Sequence, residues 1–385
     1  MDLAYVTTYD SRDLKSLYNW AGLGYYISQS LKEHEVEINY IGPLKDRAYL
    51  SAICKLKRHY YQIVEKKNYL KALDPIIQRN YAHQASQKLS SCQSDVVFGT
   101  TTVPIAYLDC SQPTVFWSDA TFMNLLDFYP LYKNFCRASI EHGHQLERLA
   151  LQKCALAIYA SDWAAQSAID YYQADPAKVK VVPFGSNIEN SLTTDSVKEL
   201  IDRRPSNKCK LLFIGYDWFR KGGDLVIKLV EMLNSVGLET ELTVIGCRPS
   251  LEEPALKYVK TLGIISKSTE EGKSTIKQLL SDSHFLIMPS QAECYGVVFC
   301  EANSFGVPSI ATKVGGIPTI IKDDLNGKLF ALDADITEYC NYIYRLFNNY
   351  ADYKKLALSS FHEYQLRLNW TMSGKKVKDL LVNCI

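Results

Sequence analysis

The stretch Pro289-Ser290-Gln291-Ala292-Glu293-Cys294-Tyr295-Gly296-Val297-Val298-Phe299-Cys300-Glu301-Ala302-Asn303-Ser304-Phe305-Gly306 decides how this chain is read. Before it stands Phe285-Leu286-Ile287-Met288, an apolar run of the length of a buried strand. A helix is predicted to begin near Gly296 and to stop at Gly306, with Pro308 beyond it. The polar residues then occupy a loop between the carboxyl end of a strand and the amino end of a helix. Open α/β sheets bind ligands there. Free backbone N–H groups and the positive end of the helix suit a diphosphate. Glu293 falls on the loop. Glu301 falls one turn after Val297 and projects beside the helix start. Two carboxylates at an anion site make sense if they grip hydroxyls, one on a sugar and one on a ribose.

Outward from this stretch, strand-like and helix-like segments alternate through most of the 385 residues. In the first half, strands are expected at 3–8, 36–41, 95–99, 114–117, 156–160 and 179–183, with helices at 25–32, 75–89, 146–154 and 164–172. Residues 186–208 are polar and read as a connection. A second series follows, with strands at 211–215, 241–246, 284–289, 308–311 and 328–330, and the chain closes on an amphipathic helix at 370–381. Alternation of this kind predicts doubly wound parallel sheets.

Composition narrows the class. The formal net charge is +1, so nothing global points to nucleic acid. No apolar run reaches the length of a membrane span, and residues 3–6 read as a first strand and not as a leader peptide. The 11 cysteines are scattered, mostly in apolar segments, as expected of reduced thiols in a cytoplasmic protein. No Cys/His cluster has zinc spacing, and His142-Gly143-His144 lacks partners.

Further motifs sit at strand ends. Gly215-Tyr216-Asp217-Trp218-Phe219-Arg220-Lys221-Gly222-Gly223 leads from a strand into a helix. Cations at a helix start are unfavourable alone and favourable once an anion sits there. Asn19-Trp20-Ala21-Gly22-Leu23-Gly24 opens the first helix, and its glycines permit a close approach of backbone to ligand. Asp119 ends the strand at 114–117. It is either a ligand-facing carboxylate or, with Ser118, a helix cap. Gly315-Gly316-Ile317-Pro318 and Ser161-Asp162-Trp163 read as structural helix starts. Residues 45–88 are rich in Lys and Arg with tyrosines interleaved: a solvated helical face, or contact with an anionic lipid surface.

The Glu-x7-Glu spacing of Glu293 and Glu301, in series with these motifs, resembles glycosyltransferase family 4. The resemblance is strongest over residues 211–327. It implies a GT-B fold, two Rossmann-like domains facing a cleft: residues 1–187 on the acceptor side, residues 188–365 on the donor side, and a final helix at about 366–385 packed back on the first. It implies a retaining transferase that moves a sugar from a UDP- or GDP-sugar to a lipid, glycan or small-molecule acceptor, by same-face attack. No Asp-x-Asp pair sits at a strand end, so no metal and no cofactor is expected.

By the same resemblance Asp119, Glu293, Arg220 and Lys221 are the catalytic candidates. Gly22, Arg220, Lys221, Ile264, Glu293, Tyr295, Gly296, Val297 and Glu301 are the donor-binding candidates. Leu262-Gly263-Ile264-Ile265-Ser266-Lys267 is expected to read the base through its backbone. This chain departs from the family where Tyr216 and Asp119 stand in for an arginine and a histidine. The expected place is the cytoplasm, with possible peripheral contact with a membrane through 45–88. A nucleotide-sugar isomerase (epimerase) and a non-catalytic sugar-nucleotide binder share the implied fold and remain alternatives.

Overall fold

The computed structural model describes residues 1–14, 22–250, 252 and 255–384. It divides into two compact units, Met1–Pro183 with Ser373–Ile385, and Phe184–Met372.

In the first unit six parallel strands form one sheet. They are β1 (Asp2–Val6), β2 (Glu37–Tyr40), β3 (Val96–Gly99), β4 (Thr114–Ser118), β5 (Leu156–Tyr159) and β6 (Val179–Val181), in the order β2-β1-β3-β4-β5-β6. Strands such as Val-Val-Phe-Gly and Leu-Ala-Ile-Tyr are buried at every position, as befits a sheet covered on both faces. The strand order reverses between β1 and β3, which opens a crevice at their carboxyl ends. The helix Pro75–Leu89 starts where Asp74 accepts from the Ile76 N–H at 3.0 Å, with proline in its first turn. The helix Arg137–Lys153 is longer than expected. Ser139 and Gly143 face inward from its polar-looking first half, and Gly143 leaves room for the Phe122 ring.

The last helix, Trp370–Val382, belongs to the first unit from Ser373 onward. There Ser373 Oγ donates to the Pro183 carbonyl at 2.7 Å, and Lys376 Nζ to that of Val181 at 3.0 Å.

The second unit repeats the plan. Its strands are β7 (Cys209–Ile214), β8 (Thr240–Ile245), β9 (Val259–Gly263), β10 (Phe285–Met288), β11 (Ser309–Thr312) and β12 (Gly327–Phe330), in the order β12-β11-β10-β7-β8-β9. All are parallel, and here the order reverses between β7 and β10.

Two segments differ from expectation. Residues 186–208 are not a plain connection. They contain the helix Thr194–Arg203, in which Thr193 accepts from the Ser196 N–H and Val197 and Ile201 are buried one turn apart. The second unit accordingly starts at Phe184, whose ring packs on Tyr295 and Trp370, and not at residue 188. β9 is the other difference. It is an edge strand with only Gly263 buried, so it carries no apolar run to betray it.

Candidate active site

The chemistry-bearing residues of the second unit gather where its strand order reverses. The loop after β7 and the loop after β10 touch. Gly222, at φ 77°, lies so close to Pro289 that a Cβ would stand 2.2 Å from the Pro289 carbonyl oxygen. The Gln291 N–H donates to the Arg220 carbonyl at 2.7 Å. Only glycine combines that positive φ with that approach. Gly296, at φ 95°, caps the seven-residue helix Val297–Asn303 in the same left-handed conformation.

This packing brings Arg220 and Lys221 to Glu293. The Lys221 ammonium is in contact with a Glu293 carboxylate oxygen, and Arg220 Nη1 lies 3.7 Å from the same oxygen. Arg220 also donates to the Ala292 carbonyl at 2.7 Å. Lys221 and Glu293 are both buried. Burial first, and then the charge of Arg220, lower the hold of Lys221 on its proton. The carboxylate in contact acts in the opposite sense. A buried ion pair of this kind holds together because each charge would be costly alone.

Glu301 is 0% exposed on the helix Val297–Asn303. Lys267 reaches it from the segment after β9, with Nζ 2.5 and 2.6 Å from the two carboxylate oxygens. The neighbouring Ile264 is 69% exposed at the end of β9. Val297 is half-buried at the helix start. Tyr295 is a core residue: its hydroxyl donates to the Phe184 carbonyl at 2.7 Å, so its side chain offers nothing to a ligand.

In the first unit, Gly22 caps the helix Leu23–Lys32 at φ 86°, whereas Asn19, Trp20 and Ala21 lie outside the described residues. Asp119 follows β4 and is not a helix cap. The next helix, Phe122–Leu125, is capped by Thr121 in a reciprocal box with Asn124, and Ser118 Oγ donates to the Ala120 carbonyl. Burial raises the Asp119 carboxyl to a pKa of about 7. Burial first, and the charge of Asp119 after it, raise the phenol of Tyr9. The Tyr9 hydroxyl lies 3.1 Å from Thr100 Oγ1, which bridges the chain ends after β1 and β3 where the order of this sheet reverses. Elsewhere in this unit, buried Glu147 accepts from Thr102 at 3.0 Å and Tyr159 at 3.2 Å.

Tyr9, Thr100 and Lys267 escaped the sequence reading. Tyr9 and Thr100 each stand just past a strand end, the one signal that marks them. Lys267 had none.

The segment rich in Lys and Arg forms the helix Ala48–Tyr60, which continues as a π-helical turn Tyr61–Glu65. Its solvated face is apolar as well as basic. Tyr49, Ile53, Leu56, Tyr60 and Ile63 recur at helical spacing and are all exposed, Leu56 at 72%. Among the described residues no helix is long and apolar enough to cross a membrane, and no group of three His, Cys, Asp or Glu side chains is placed to hold a metal. His144 Nδ1 instead sits 2.9 Å from the Tyr172 hydroxyl.

Residues 199–359 match the family model described as glycosyl transferases group 1. D-inositol 3-phosphate glycosyltransferase of Thermobifida fusca is 26% identical over 242 residues, 58% of this chain and 55% of that protein. The chain spans about half the length of the curated relatives it matches, or less. Among solved structures, the lipopolysaccharide outer core galactosyltransferase WaaB aligns over 100% of both chains with a TM-score of 0.68 at 14% identity. Anabaena Alr3699/HepE, in complex with UDP-glucose, aligns over 100% of both chains with a TM-score of 0.62 at 17% identity. The two parallel sheets and these alignments define the GT-B fold of glycosyltransferases. Residues 199–359 are thus similar to the group 1 glycosyltransferases, a likeness consistent with the family 4 resemblance of the motifs.

Proposed function

We propose that this protein transfers a sugar, with retention, from a UDP- or GDP-sugar to a lipid, glycan or small-molecule acceptor, without a metal. The observation that carries the reading is the convergence of Lys221, Arg220 and Glu293 at the point where strand order reverses in the second unit. The two cations bind the diphosphate. The bond from the anomeric carbon to the phosphate oxygen breaks, and the charge left on that oxygen is stabilised by Lys221 and Arg220, which are already in place. The acceptor oxygen bonds to the same face of the sugar. Its proton passes to the departing phosphate.

Glu293 accepts from hydroxyls of the sugar and Glu301 from those of the ribose. Asp119 hydrogen-bonds a sugar hydroxyl or stabilises positive charge growing at the anomeric carbon. HepE, in complex with UDP-glucose, makes a UDP-sugar the first donor to test.

In the same proposal the helix Ala48–Tyr60 rests on an anionic bilayer. Its exposed apolar stripe is flanked by exposed Lys45, Arg47, Lys55, Arg58, Lys66 and Lys67. Like charges around the stripe oppose a second copy of this chain and favour acidic headgroups.

The test is incubation with labelled UDP- and GDP-sugars, with and without a cell lipid extract, in the presence of EDTA. A labelled product with the α or β configuration of its donor is expected. Conversion of donor without any acceptor product, or activity abolished by EDTA and restored by manganese, would overturn the scheme.

A further inference from the structure

Glu301 is an ionisable group with no exposure at all, yet a ribose hydroxyl needs it as an anion that accepts hydrogen bonds. A buried carboxylate keeps its charge only with a partner. Lys267 is that partner, 34 residues away in the chain and bound to both oxygens. The lysine side chain is 42% exposed, whereas the carboxylate side chain is fully buried.

The other ionisable groups around this helix do not replace it. Cys300 is pushed up to about 12 by burial, and Tyr295 and Tyr364 are raised by burial too, so all three are neutral near pH 7. Arg367, on the helix Tyr350–Arg367, is committed to Glu363 at 2.6 Å and to the carbonyls of Thr319 and Ile320. Lys267 stands four residues beyond Gly263, the last residue of β9, on the segment that bears Ile264.

We propose that Lys267 is a positioning residue of the donor site, which holds Glu301 as an oriented anion and fastens the segment after β9 against it, ready for a ribose diol. The inference rests on the reading of Glu301 as the ribose acceptor. Lys267 acts through Glu301 and does not touch the reacting atoms. Without it, the buried carboxylate of Glu301 loses the partner that orients it, and the segment after β9 loses its tie to the helix.

The experiment is UDP titration, by calorimetry, of the wild type, Lys267→Met and Lys267→Arg. Lys267→Met is expected to bind about tenfold more weakly than wild type, and Lys267→Arg, which keeps the cation, should stay close to it. Equal affinity of Lys267→Met and wild type would overturn the proposal, and so would a loss in Lys267→Arg as large as that in Lys267→Met. A wild type that binds UDP while Glu301→Gln binds it equally well would instead remove the ribose reading beneath it.

Discussion

Lys221 and Glu293 stand 72 residues apart in the chain and meet as a buried ion pair. In this pairing the carboxylate occupies the cation that a diphosphate would take. A donor sugar offers replacements for both partners at once, phosphate oxygens for Lys221 and hydroxyls for Glu293. A nucleotide diphosphate without its sugar satisfies only the lysine.

The pair therefore predicts an asymmetry for Glu293→Gln. Removing one charge of a buried pair costs about 3–5 kcal/mol, so the free variant should melt below wild type. UDP supplies the missing anion. The thermal shift on adding UDP should accordingly be larger for Glu293→Gln than for wild type. A smaller shift would mean that Glu293 helps to hold the nucleotide and does not compete with it.

Lys221→Ala removes the cation from the leaving oxygen. Charge grows there only in the transition state, so kcat should fall while discrimination between donor sugars stays as it was. Loss of a preorganised contact of about 3–4 kcal/mol lowers the rate by roughly two to three orders of magnitude. Steady-state kinetics with two donor sugars decides it. A change confined to sugar preference would take Lys221 away from the phosphate.

Asp119 gives a prediction in pH. Its carboxyl is raised by burial to about 7, so the folded protein retains a proton that the unfolded chain releases near the ordinary value. Between those values stability contributed by this group falls as pH rises. Asp119→Asn should thus melt no lower than wild type at pH 8. If the charged form works at the anomeric carbon, wild-type turnover should fall as pH drops through about 7. The variant should then be slow, by roughly two to three orders of magnitude, at every pH. Since Thr121 and not Asp119 caps the next helix, loss of a cap cannot account for such a result. Near-normal turnover of the variant would remove Asp119 from the chemistry.

The exposed stripe is tested with vesicles. Leu56→Glu and Ile63→Glu place a charge on a face already in water, so the melting temperature should hold within the usual range for surface changes. Co-sedimentation with phosphatidylglycerol vesicles should drop sharply in both variants, and neutral vesicles should capture little of the wild type. Equal sedimentation of variants and wild type would refute contact through this helix.

Much of the architecture was legible in the chain because its strands are local signals. Phe285–Met288 and Thr114–Ser118 are runs that only a covered parallel sheet buries, and Pro75 and Gly296 punctuate helices by their own backbone preferences. The same logic explains the failures. β9 lies at a sheet edge and has no apolar run to display. The helix Thr194–Arg203 hides because it is short and only two of its residues, Val197 and Ile201, are buried.

The amino-acid sequence by itself therefore determined the alternation of strands and helices, the turns at Gly222 and Gly296, and the placing of Glu293, Arg220, Lys221 and Asp119 at strand ends. Tertiary structure alone decided the partners. That Lys221 meets Glu293, that Lys267 neutralises Glu301, that Tyr9 reaches Thr100, and that the Tyr295 hydroxyl turns into the core all follow from strand order and burial. The reason is physical. Propensity and periodicity act over a few residues. Pairing of charges depends on which loops the sheet sets side by side, and on how little water is left there to solvate a charge that has no partner.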